Sequence, residues 1–322
     1  MQKTAIGVDL GGTNLRFGLV REDEKIISRR RTGTMAAEGA EIVLERLTSG
    51  IQTLSRKAQA AGLKVAGIGI GVPGIISAKE GIVRLSPNLP GWADIPLGLR
   101  LKETFSYPVH VENDANAYAL GEYWFGAGKG TSCMVCVTLG TGVGGGIILG
   151  GNIWRGADGM AGEVGHITVD PDGPLCPCGN RGCLERYSSA TAVIEMAGAA
   201  VARGEKTVLR GLKKAGLAIT PEAVADAAKK GDRVAGRIYS DVGKYLGIAI
   251  ADLINLLNIE CIVIGGGMAG AWDLFIGPLK EEVRARAFKI PAKRCRIVRD
   301  KLKDDAGILG AAGLALKITR VK

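Results

Sequence analysis

The sequence predicts an α/β protein of two domains with a ligand bound between them. Its 322 residues exceed what a single hydrophobic core usually supports. One design also occurs twice: a short apolar strand, a glycine-rich turn and a second strand open the chain at residues 3–20 and recur at residues 133–149. Each copy begins a half that is first rich in strands and then in helices. This pattern indicates an internal duplication.

Composition and net charge limit the kinds of molecule that we expect this protein to bind. With 47% hydrophobic and 23% charged residues, the chain has the composition of a folded globular protein rather than a disordered one. A net charge of +10 suits nucleic acid, a membrane surface or a small anionic substrate. The densest basic run, residues 284–303, spreads over a predicted helix and strand without a recognition-helix pattern. We therefore expect a small-molecule substrate and neither nucleic acid nor a membrane as partner.

Several features predict a cytoplasmic protein. The N-terminus leads directly into a strand, so we expect no signal or transit peptide. The longest uncharged stretch, residues 131–154, is interrupted by seven glycines, which favours strand, turn and strand over a membrane span. Seven cysteines, an odd number, suggest reduced thiols. Cys133 and Cys136 are expected in the core rather than as a redox pair, because strand positions i and i+3 point to opposite faces.

Apolar periodicity and turn residues predict the order of elements. In the first half we expect strands at residues 3–9, 15–20, 25–31 and 65–72, and helices at residues 37–61, from Pro96 and from near Asp114. In the second half we expect strands at residues 135–139, 147–149, 261–264 and 296–298, and helices at residues 190–202, 221–230, 232–258 and from Asp305. We predict a small domain of residues 1–117, onto which a helix at about 305–322 packs back, and a large domain of residues 118–304.

Three glycine-rich turns have features of phosphate-binding sites. The first, Asp-Leu-Gly-Gly-Thr-Asn at residues 9–14, lets the backbone approach a ligand closely and presents amides to phosphate oxygens. Asp9 is placed to hold a metal ion through water. The second turn spans residues 140–146, and the third, at residues 265–267, precedes a helix whose N-terminus attracts negative charge. A hairpin turn alone also explains the first segment, since it lacks a P-loop or dinucleotide-binding signature.

An acidic residue at the end of a strand marks the centre of the predicted site. Asp114 directly follows the apolar strand that ends at Asn113. In open α/β sheets the carboxyl ends of strands face the crevice in which ligands bind. Capping of the following helix is the alternative role for this aspartate. The glycine-rich turns on both sides of it favour a role in chemistry.

A cysteine cluster predicts a structural zinc site. Cys176, Cys178 and Cys183 lie within eight residues, and the first of them follows His166 by ten residues. Three thiolates and one imidazole complete a tetrahedral set without an open position, so the ion would hold a loop rather than activate water. A disulfide is disfavoured by the odd cysteine count and by a reducing compartment.

The same loop would bring two carboxylates together. Glu163 precedes His166 by three residues and Glu185 follows Cys183 by two, so metal coordination would orient them along with the imidazole. With Asn113 they would supply the fixed partners that the hydroxyls of a sugar require. Solvated surface carboxylates are the alternative, which tethering by one loop disfavours.

Together these motifs resemble the ROK family of sugar kinases and repressors, end to end, and most closely its bacterial ATP-dependent glucokinases. The matching motifs are Asp-Leu-Gly-Gly-Thr at residues 9–13, Asn-Asp at 113–114, Glu-Val-Gly-His at 163–166, the cysteine motif at 176–185 and the glycines at 265–267. The resemblance implies the actin-like, ribonuclease-H-like ATPase fold, with two domains around a central cleft. It also implies phosphorylation of the 6-hydroxyl of glucose with ATP, Mg²⁺ and a structural Zn²⁺.

The resemblance assigns roles to individual residues. Asp114 is implied as the general base. The implied sugar ligands are Asn88, Asn113, Asp114, Glu163, His166 and Glu185. The implied nucleotide-binding residues are Asp9, Gly11, Gly12, Thr13, Asn14, Gly140, Thr141, Gly142, Gly265, Gly266 and Gly267, and the implied zinc ligands are His166, Cys176, Cys178 and Cys183. The family also leads us to expect a homodimer or homotetramer.

The sequence distinguishes a glucokinase less clearly from the other kinds of protein in this family. Its repressors carry a winged helix-turn-helix before the first turn, and only eight residues precede Asp9, so we expect no such module. A sugar sensor would be expected to lack Asp114. Kinases for fructose, mannose, N-acetylglucosamine or N-acetylmannosamine share the motif residues, but the loop at residues 86–92 resembles the glucokinase version and favours glucose. Polyphosphate as phosphoryl donor would also suit a basic surface.

Overall fold

A computed structural model describes residues 3–316 of the chain. The first half of the described residues contains eight strands and three α-helices. In order, the elements are β1 (Lys3–Leu10), β2 (Asn14–Arg21), β3 (Ile26–Gly33), α1 (Ala40–Ala60), β4 (Lys64–Val72), β5 (Ile75–Ser77), β6 (Ile82–Leu85), β7 (Ala93–Ile95), α2 (Leu97–Thr104), β8 (Val109–Asn113) and α3 (Asp114–Phe125).

The second half begins with strands and continues mainly with helices. Its elements are β9 (Met134–Leu139), β10 (Val143–Leu149), β11 (Asn152–Ile153), α4 (Glu185–Ser188), α5 (Ala190–Ala202), α6 (Leu209–Lys214), α7 (Pro221–Lys229), α8 (Arg233–Leu257), β12 (Cys261–Gly265), α9 (Trp272–Arg286), α10 (Lys289–Arg294), β13 (Arg296–Arg299) and α11 (Ala306–Leu316). Short 3₁₀ turns lie between some of them, including Val164–His166 and Gly267–Ala271.

The strands form two five-stranded sheets with the same internal order. The first sheet runs β3-β2-β1-β4-β8 and the second runs β11-β10-β9-β12-β13, while β5, β6 and β7 form a small third sheet. In the first sheet β1–β2 and β2–β3 are antiparallel, whereas β1–β4 and β4–β8 are parallel. In the second sheet β10–β11 is antiparallel and β12–β13 is parallel. The shared order is what an internal duplication requires.

The core beside the first sheet is built from the amphipathic helix α1. Its apolar positions Leu47, Ile51 and Leu54 are fully buried, and they belong to the same cluster as Phe17 of β2. A Cβ atom at Gly50 would lie 2.3 Å from the Phe17 ring. The glycine therefore gives this ring its place under the helix.

The last helix packs on the first sheet with close backbone contact. Helix α11 contacts α3, β1 and β4. A Cβ atom at Gly310 would lie 1.8 Å from the carbonyl oxygen of Ala117, and one at Gly69 would lie 1.8 Å from that of Ala311. Only glycine at these positions allows the helix to approach so closely. Residues 317–322 of the predicted final helix lie outside the described residues.

The chain forms two compact units. One unit comprises the residues up to 136, residues 146–162 and the residues from 301 onward; the other comprises residues 137–145 and 163–300. Each unit has its own buried core, that of the second being centred on the packing of α8 against α9. The division at residue 117, with a domain of residues 118–304, stays a prediction.

Several details differ from the sequence-based expectation, and the strands β5, β6, β7 and β11 and the helix α4 are among the short elements that were not predicted. The turn predicted at residues 140–146 is shorter, because β10 already begins at Val143. The six-residue helices α6 and α10 were not predicted, since they are too short to show periodicity. No helix among residues 3–316 is long and apolar enough to cross a membrane.

The contact between α11 and α3 yields a stability prediction. We expect Gly310→Ala to lower the free energy of unfolding by roughly 1–3 kcal/mol, because the new methyl group overlaps a backbone carbonyl. Gly236→Ala, also in a helix but with no atom within 4 Å of the new Cβ, should stabilise by up to about 1 kcal/mol. Chemical denaturation of both variants checks this, and equal stability of the two would contradict the packing argument.

Candidate active site

The junction between β8 and α3 places the central aspartate at the first turn of a helix. Asn113, not Asp114, is the N-cap: its Oδ1 accepts a hydrogen bond from the Asn116 amide at 3.0 Å, and its Nδ2 donates to the Gly74 carbonyl at 3.1 Å. Asp114 is the first residue of α3, and its Oδ1 accepts from the Ala115 amide at 2.9 Å. Because Asn113 already caps the helix, capping does not account for Asp114.

A buried carboxylate beside this junction was missed by the sequence analysis. Glu112 is 2% exposed, and its Oε1 accepts from the Asn113 amide and from Asn116 Nδ2, both at 3.1 Å. Its Oε2 accepts from Arg155 Nη2 at 2.6 Å and Nε at 2.9 Å. The available signal was a carboxylate within a strand whose neighbouring position is the buried Val111, but its partner lies 43 positions away in sequence.

The first glycine-rich turn is closed by backbone hydrogen bonds. The Gly11 amide donates to the Asn14 carbonyl at 2.9 Å, and Thr34 donates from its amide to the Thr13 carbonyl at 2.9 Å. A Cβ atom at Gly12 would lie 3.3 Å from the carbonyl oxygen of Asn88. The structure therefore brings the first turn and the loop with Asn88 together.

Asp9 lies at the carboxyl end of β1, opposite Arg16 of β2. Its Oδ2 is 3.2 Å from Arg16 Nη1. Burial raises the pKa of Asp9, and the charge and hydrogen bond of Arg16 oppose that shift. Gly71 of β4 pairs with Asp9, and a Cβ there would lie 3.3 Å from Cα of Asp114. The two predicted functional aspartates therefore flank one glycine of β4.

The second turn is held by residues at the start of α5. The Gly140 amide donates to the Gly142 carbonyl at 2.9 Å, and Thr191 Oγ1 donates to the Thr141 carbonyl at 2.8 Å. Glu185 Oε2 accepts from the Val143 amide at 2.8 Å. A Cβ at Gly142 would lie 2.3 Å from that carboxylate oxygen, so glycine leaves the space that Glu185 occupies.

The predicted metal ligands form one cluster in the second unit. The ligand atoms of His166, Cys176, Cys178 and Cys183 all lie within 4.8 Å of one another. His166 Nδ1 is 3.8 Å from Cys176 Sγ, and the Sγ atoms of Cys178 and Cys183 are 3.7 Å apart. All seven cysteines are free thiols. Cys136 is in the core as predicted, whereas Cys133, also predicted there, is only half-buried.

The surroundings of the cluster shift the pKa values of two of its thiols in opposite directions. A backbone hydrogen bond from Asn180 is the main cause that lowers the pKa of Cys178, which is exposed. Burial raises the pKa of Cys183 to about 12. Gly182 has a φ of +63°, and a Cβ there would lie 1.5 Å from the Asp170 carbonyl. Glycine is therefore required for the loop to close around the thiols.

His166 presents its two ring nitrogens to different neighbours. Nδ1 faces Cys176, whereas Nε2 is 4.0 Å from Glu163 Oε2. The side chain of Glu163 is 58% exposed, so solvent or a ligand reaches it. The imidazole can thus serve the cluster with one nitrogen and a ligand with the other.

The third glycine-rich turn borders a recess. Gly266 has a φ of +86°, and a Cβ there would lie 2.4 Å from the Leu139 carbonyl oxygen. The recess has a volume of about 140 Å³ and is lined by Gly267 and Met268 on one side and by Glu222 and Asp226 of α7 on another. Strand β12 therefore ends in a turn beside an open, partly acidic space.

The predicted site residues divide between the two units. Asp9, Gly11, Gly12, Thr13, Asn14, Asn88, Asn113 and Asp114 belong to the first, and Gly140, Thr141, Gly142, Glu163, His166, Glu185, Gly265, Gly266 and Gly267 belong to the second, with the three cysteines. Within each unit the structure brings neighbouring members together. Their functional roles stay predictions.

Comparison with known proteins identifies the family. The model of the ROK family matches residues 5–318. The chain belongs to the ROK family. It is 40% identical to a glucokinase of Thermotoga maritima over 96% of each chain, and 36% identical to a putative xylose repressor of Caldicellulosiruptor sp. over 97% of this chain and 77% of the other.

A solved structure of a ROK family member is similar throughout. The ROK family glucokinase from Streptomyces griseus, in complex with glucose and AMPPNP, is 34% identical, with a TM-score of 0.82 over 98% of this chain and all of the other. The predicted family membership is confirmed. The predicted actin-like, ribonuclease-H-like α/β fold is confirmed as well.

The cap at α3 can be tested separately from chemistry. We expect Asn113→Ala to lower the free energy of unfolding by about 1 kcal/mol, because the Asn116 amide loses its acceptor. Asn113→Ser restores a capping oxygen and should recover most of that loss. Urea denaturation of the two variants measures the difference, and a serine variant no more stable than the alanine variant would contradict the assigned cap.

Proposed function

We propose that this protein transfers the γ-phosphoryl group of ATP to the 6-hydroxyl of glucose. The observation that carries the proposal is full-length similarity to glucokinases, one of them in complex with glucose and AMPPNP. The acidic residue that such a reaction needs is present at the end of β8. A nucleotide, a sugar and Mg²⁺ are the implied ligands.

Asp114 acts as the general base. Its carboxylate accepts the proton of the sugar 6-hydroxyl as that oxygen forms a bond to the γ-phosphorus, while the bond from this phosphorus to the β–γ bridging oxygen breaks and ADP leaves. Positioning and electrostatic stabilisation carry most of the catalysis in phosphoryl transfer. The base contributes roughly a hundred- to ten-thousandfold.

The glycine-rich turns hold the nucleotide. The amides of the first and second turns bind phosphate oxygens, and Asp9 holds Mg²⁺ through water. The adenosine occupies the recess beside Gly267, where the carboxylates of Glu222 and Asp226 can accept hydrogen bonds from hydroxyl or amino groups. In support, each turn is closed by its own hydrogen bonds or close contacts.

The sugar is held by side chains from both parts of the sequence. The side chains that we infer to hold it are those of Asn88, Asn113, Asp114, Glu163, His166 and Glu185. Each supplies a hydrogen-bond partner for a hydroxyl, which a site needs in order to reject analogues that lack one. Fructose, mannose, N-acetylglucosamine and N-acetylmannosamine remain alternative substrates that the same residues could bind.

The cluster of three cysteines and one histidine holds a zinc ion. In a tetrahedral site with a Zn–S distance of about 2.3 Å, neighbouring sulfur atoms lie roughly 3.8 Å apart. The observed distance of 3.7 Å between Cys178 and Cys183 fits that spacing. When bound, the ion stabilises the loop and orients His166; its four protein ligands leave no position for catalysis.

A sugar-binding sensor is the second candidate, since a putative xylose repressor is also similar over most of its length. The retained aspartate at the start of α3 favours the kinase. A dimer or tetramer in solution stays a prediction.

Replacement of the base tests the reaction. We expect Asp114→Asn to lower kcat by about a hundred- to ten-thousandfold, with glucose and ATP still bound, because the amide cannot accept the proton. Glu41→Gln removes an exposed carboxylate from the first turn of α1 and should leave kcat unchanged. Coupled measurement of ADP release gives both values. An Asp114→Asn variant with most of its turnover would remove this residue from the mechanism.

Removal of one thiol tests the metal. We expect Cys178→Ser to lose bound zinc and to weaken glucose binding by roughly ten- to a hundredfold, while ATP binding changes little. Cys133→Ser, at a half-buried cysteine outside the cluster, should keep the metal. Elemental analysis and calorimetry measure the two properties. One zinc per chain in Cys178→Ser, with unchanged glucose affinity, would contradict the proposal.

A further inference from the structure

Glu112 is a buried charged residue that the proposed reaction does not use. Its carboxylate accepts four hydrogen bonds of 3.1 Å or less, two on each oxygen. Its side chain is 3% exposed, whereas that of Arg155 is 37% exposed. The arginine thus remains in contact with solvent while it neutralises the carboxylate.

Fold stability alone is a weak reason for such a pair. Desolvation of buried ions commonly offsets their attraction, and apolar residues of similar volume often serve stability as well or better. What the pair does supply is fixed geometry, because a carboxylate with four donors has one arrangement that satisfies them all. This fixed geometry extends to the groups that bind each of the two carboxylate oxygens.

On one side, Glu112 fixes the residues around the base. Its Oε1 holds the amide of Asn113 and the side chain of Asn116. The amide of Asn116 in turn donates to the side chain of Asn113. Asp114 lies between these two asparagines, so the carboxylate holds a backbone amide on one side of it and a side chain on the other.

On the other side, Glu112 fixes a loop through Arg155. This residue follows β11, and its carbonyl oxygen accepts from the Ala161 amide at 3.1 Å. The closed loop formed in this way ends two residues before Glu163 in sequence. The ion pair therefore anchors the segment that leads into a second sugar-binding carboxylate.

We propose that Glu112 and Arg155 form a positioning pair that aligns the sugar hydroxyl with its base. The inference rests on the proposed kinase function. The pair does not touch the reacting atoms; it fixes Asn113 and Asp114 from one carboxylate oxygen and the Arg155 loop from the other. Its loss lowers productive alignment of the sugar and leaves nucleotide binding intact.

A double-mutant cycle on Glu112→Gln and Arg155→Met tests the proposal. The glutamine places an amide donor against groups that are themselves donors, and the methionine removes the cation but keeps chain length. We expect each single variant to lower kcat/KM for glucose by about ten- to a hundredfold, with KM for ATP changed less than about twofold. Because the pair acts as a unit, the double variant should lose little more than the worse single variant. Arg155→Lys should recover part of the loss.

Glu122→Gln is the matched control. Glu122 is also fully buried and accepts from the amides of Ala127 and Leu302 at the far end of α3. Its change should lower the Tm and leave kcat/KM for glucose within about twofold. Losses that multiply in the double variant, that fall equally on ATP, or that Glu122→Gln reproduces would overturn the positioning role.

The two proposals can fail separately. Wild-type protein without turnover on any hexose would refute the kinase function, and glucose binding measured by calorimetry without ATP would then decide the positioning role on the same variants. Wild-type turnover with independent losses would refute the positioning pair alone. Absence of both turnover and sugar binding in the wild type would refute both.

Discussion

The close packing of α11 on β1, β4 and α3 is the constraint on which the first unit depends. A Cβ at Gly7 would lie 2.1 Å from the Ile308 carbonyl, and Gly69 and Gly310 allow equally close contact. Because backbones meet directly, the helix fixes the strands at their ends as well as in the core. Gly307 of the same helix leaves only 3.1 Å between its missing Cβ and the carboxyl carbon of Asp9. The chain's last described element thus supports a residue from its first strand.

Three acidic side chains of this unit, Asp9, Glu112 and Asp114, have different electrostatic and hydrogen-bonding surroundings. Asp9 is half-buried and faces Arg16, so desolvation and charge shift its pKa in opposite directions. Glu112 is neutralised by Arg155 and satisfied by amides. Asp114 is relieved of helix capping by its neighbour Asn113. A chain that places several carboxylates near one sheet edge can therefore give each a separate task.

Much of this arrangement was predictable because the signals are local. Apolar periodicity located α1 and α8, and the spacing of Cys176, Cys178 and Cys183 from His166 was enough to predict their cluster. The contact of Glu112 with Arg155 was not predictable, since no local pattern joins residues 43 positions apart. The extent of β10 was misjudged for a similar reason. A Cβ at Gly146 of β10 would lie 2.5 Å from that of Ala119, so this glycine serves close packing against α3 rather than a turn, which the run of glycines in the sequence does not reveal.

Asn113 makes two structural hydrogen bonds with its side chain, and these limit the substitutions that evolution can accept at this position. Its side-chain oxygen caps α3 by accepting a hydrogen bond from the Asn116 amide, and its side-chain nitrogen donates to the Gly74 carbonyl. Any replacement at this proposed sugar-binding position also alters the start of the helix that carries the proposed base. On the proposed function, a new substrate preference would therefore evolve more readily through Glu163, a proposed sugar ligand whose side chain is largely exposed, than through a residue on which folding also depends.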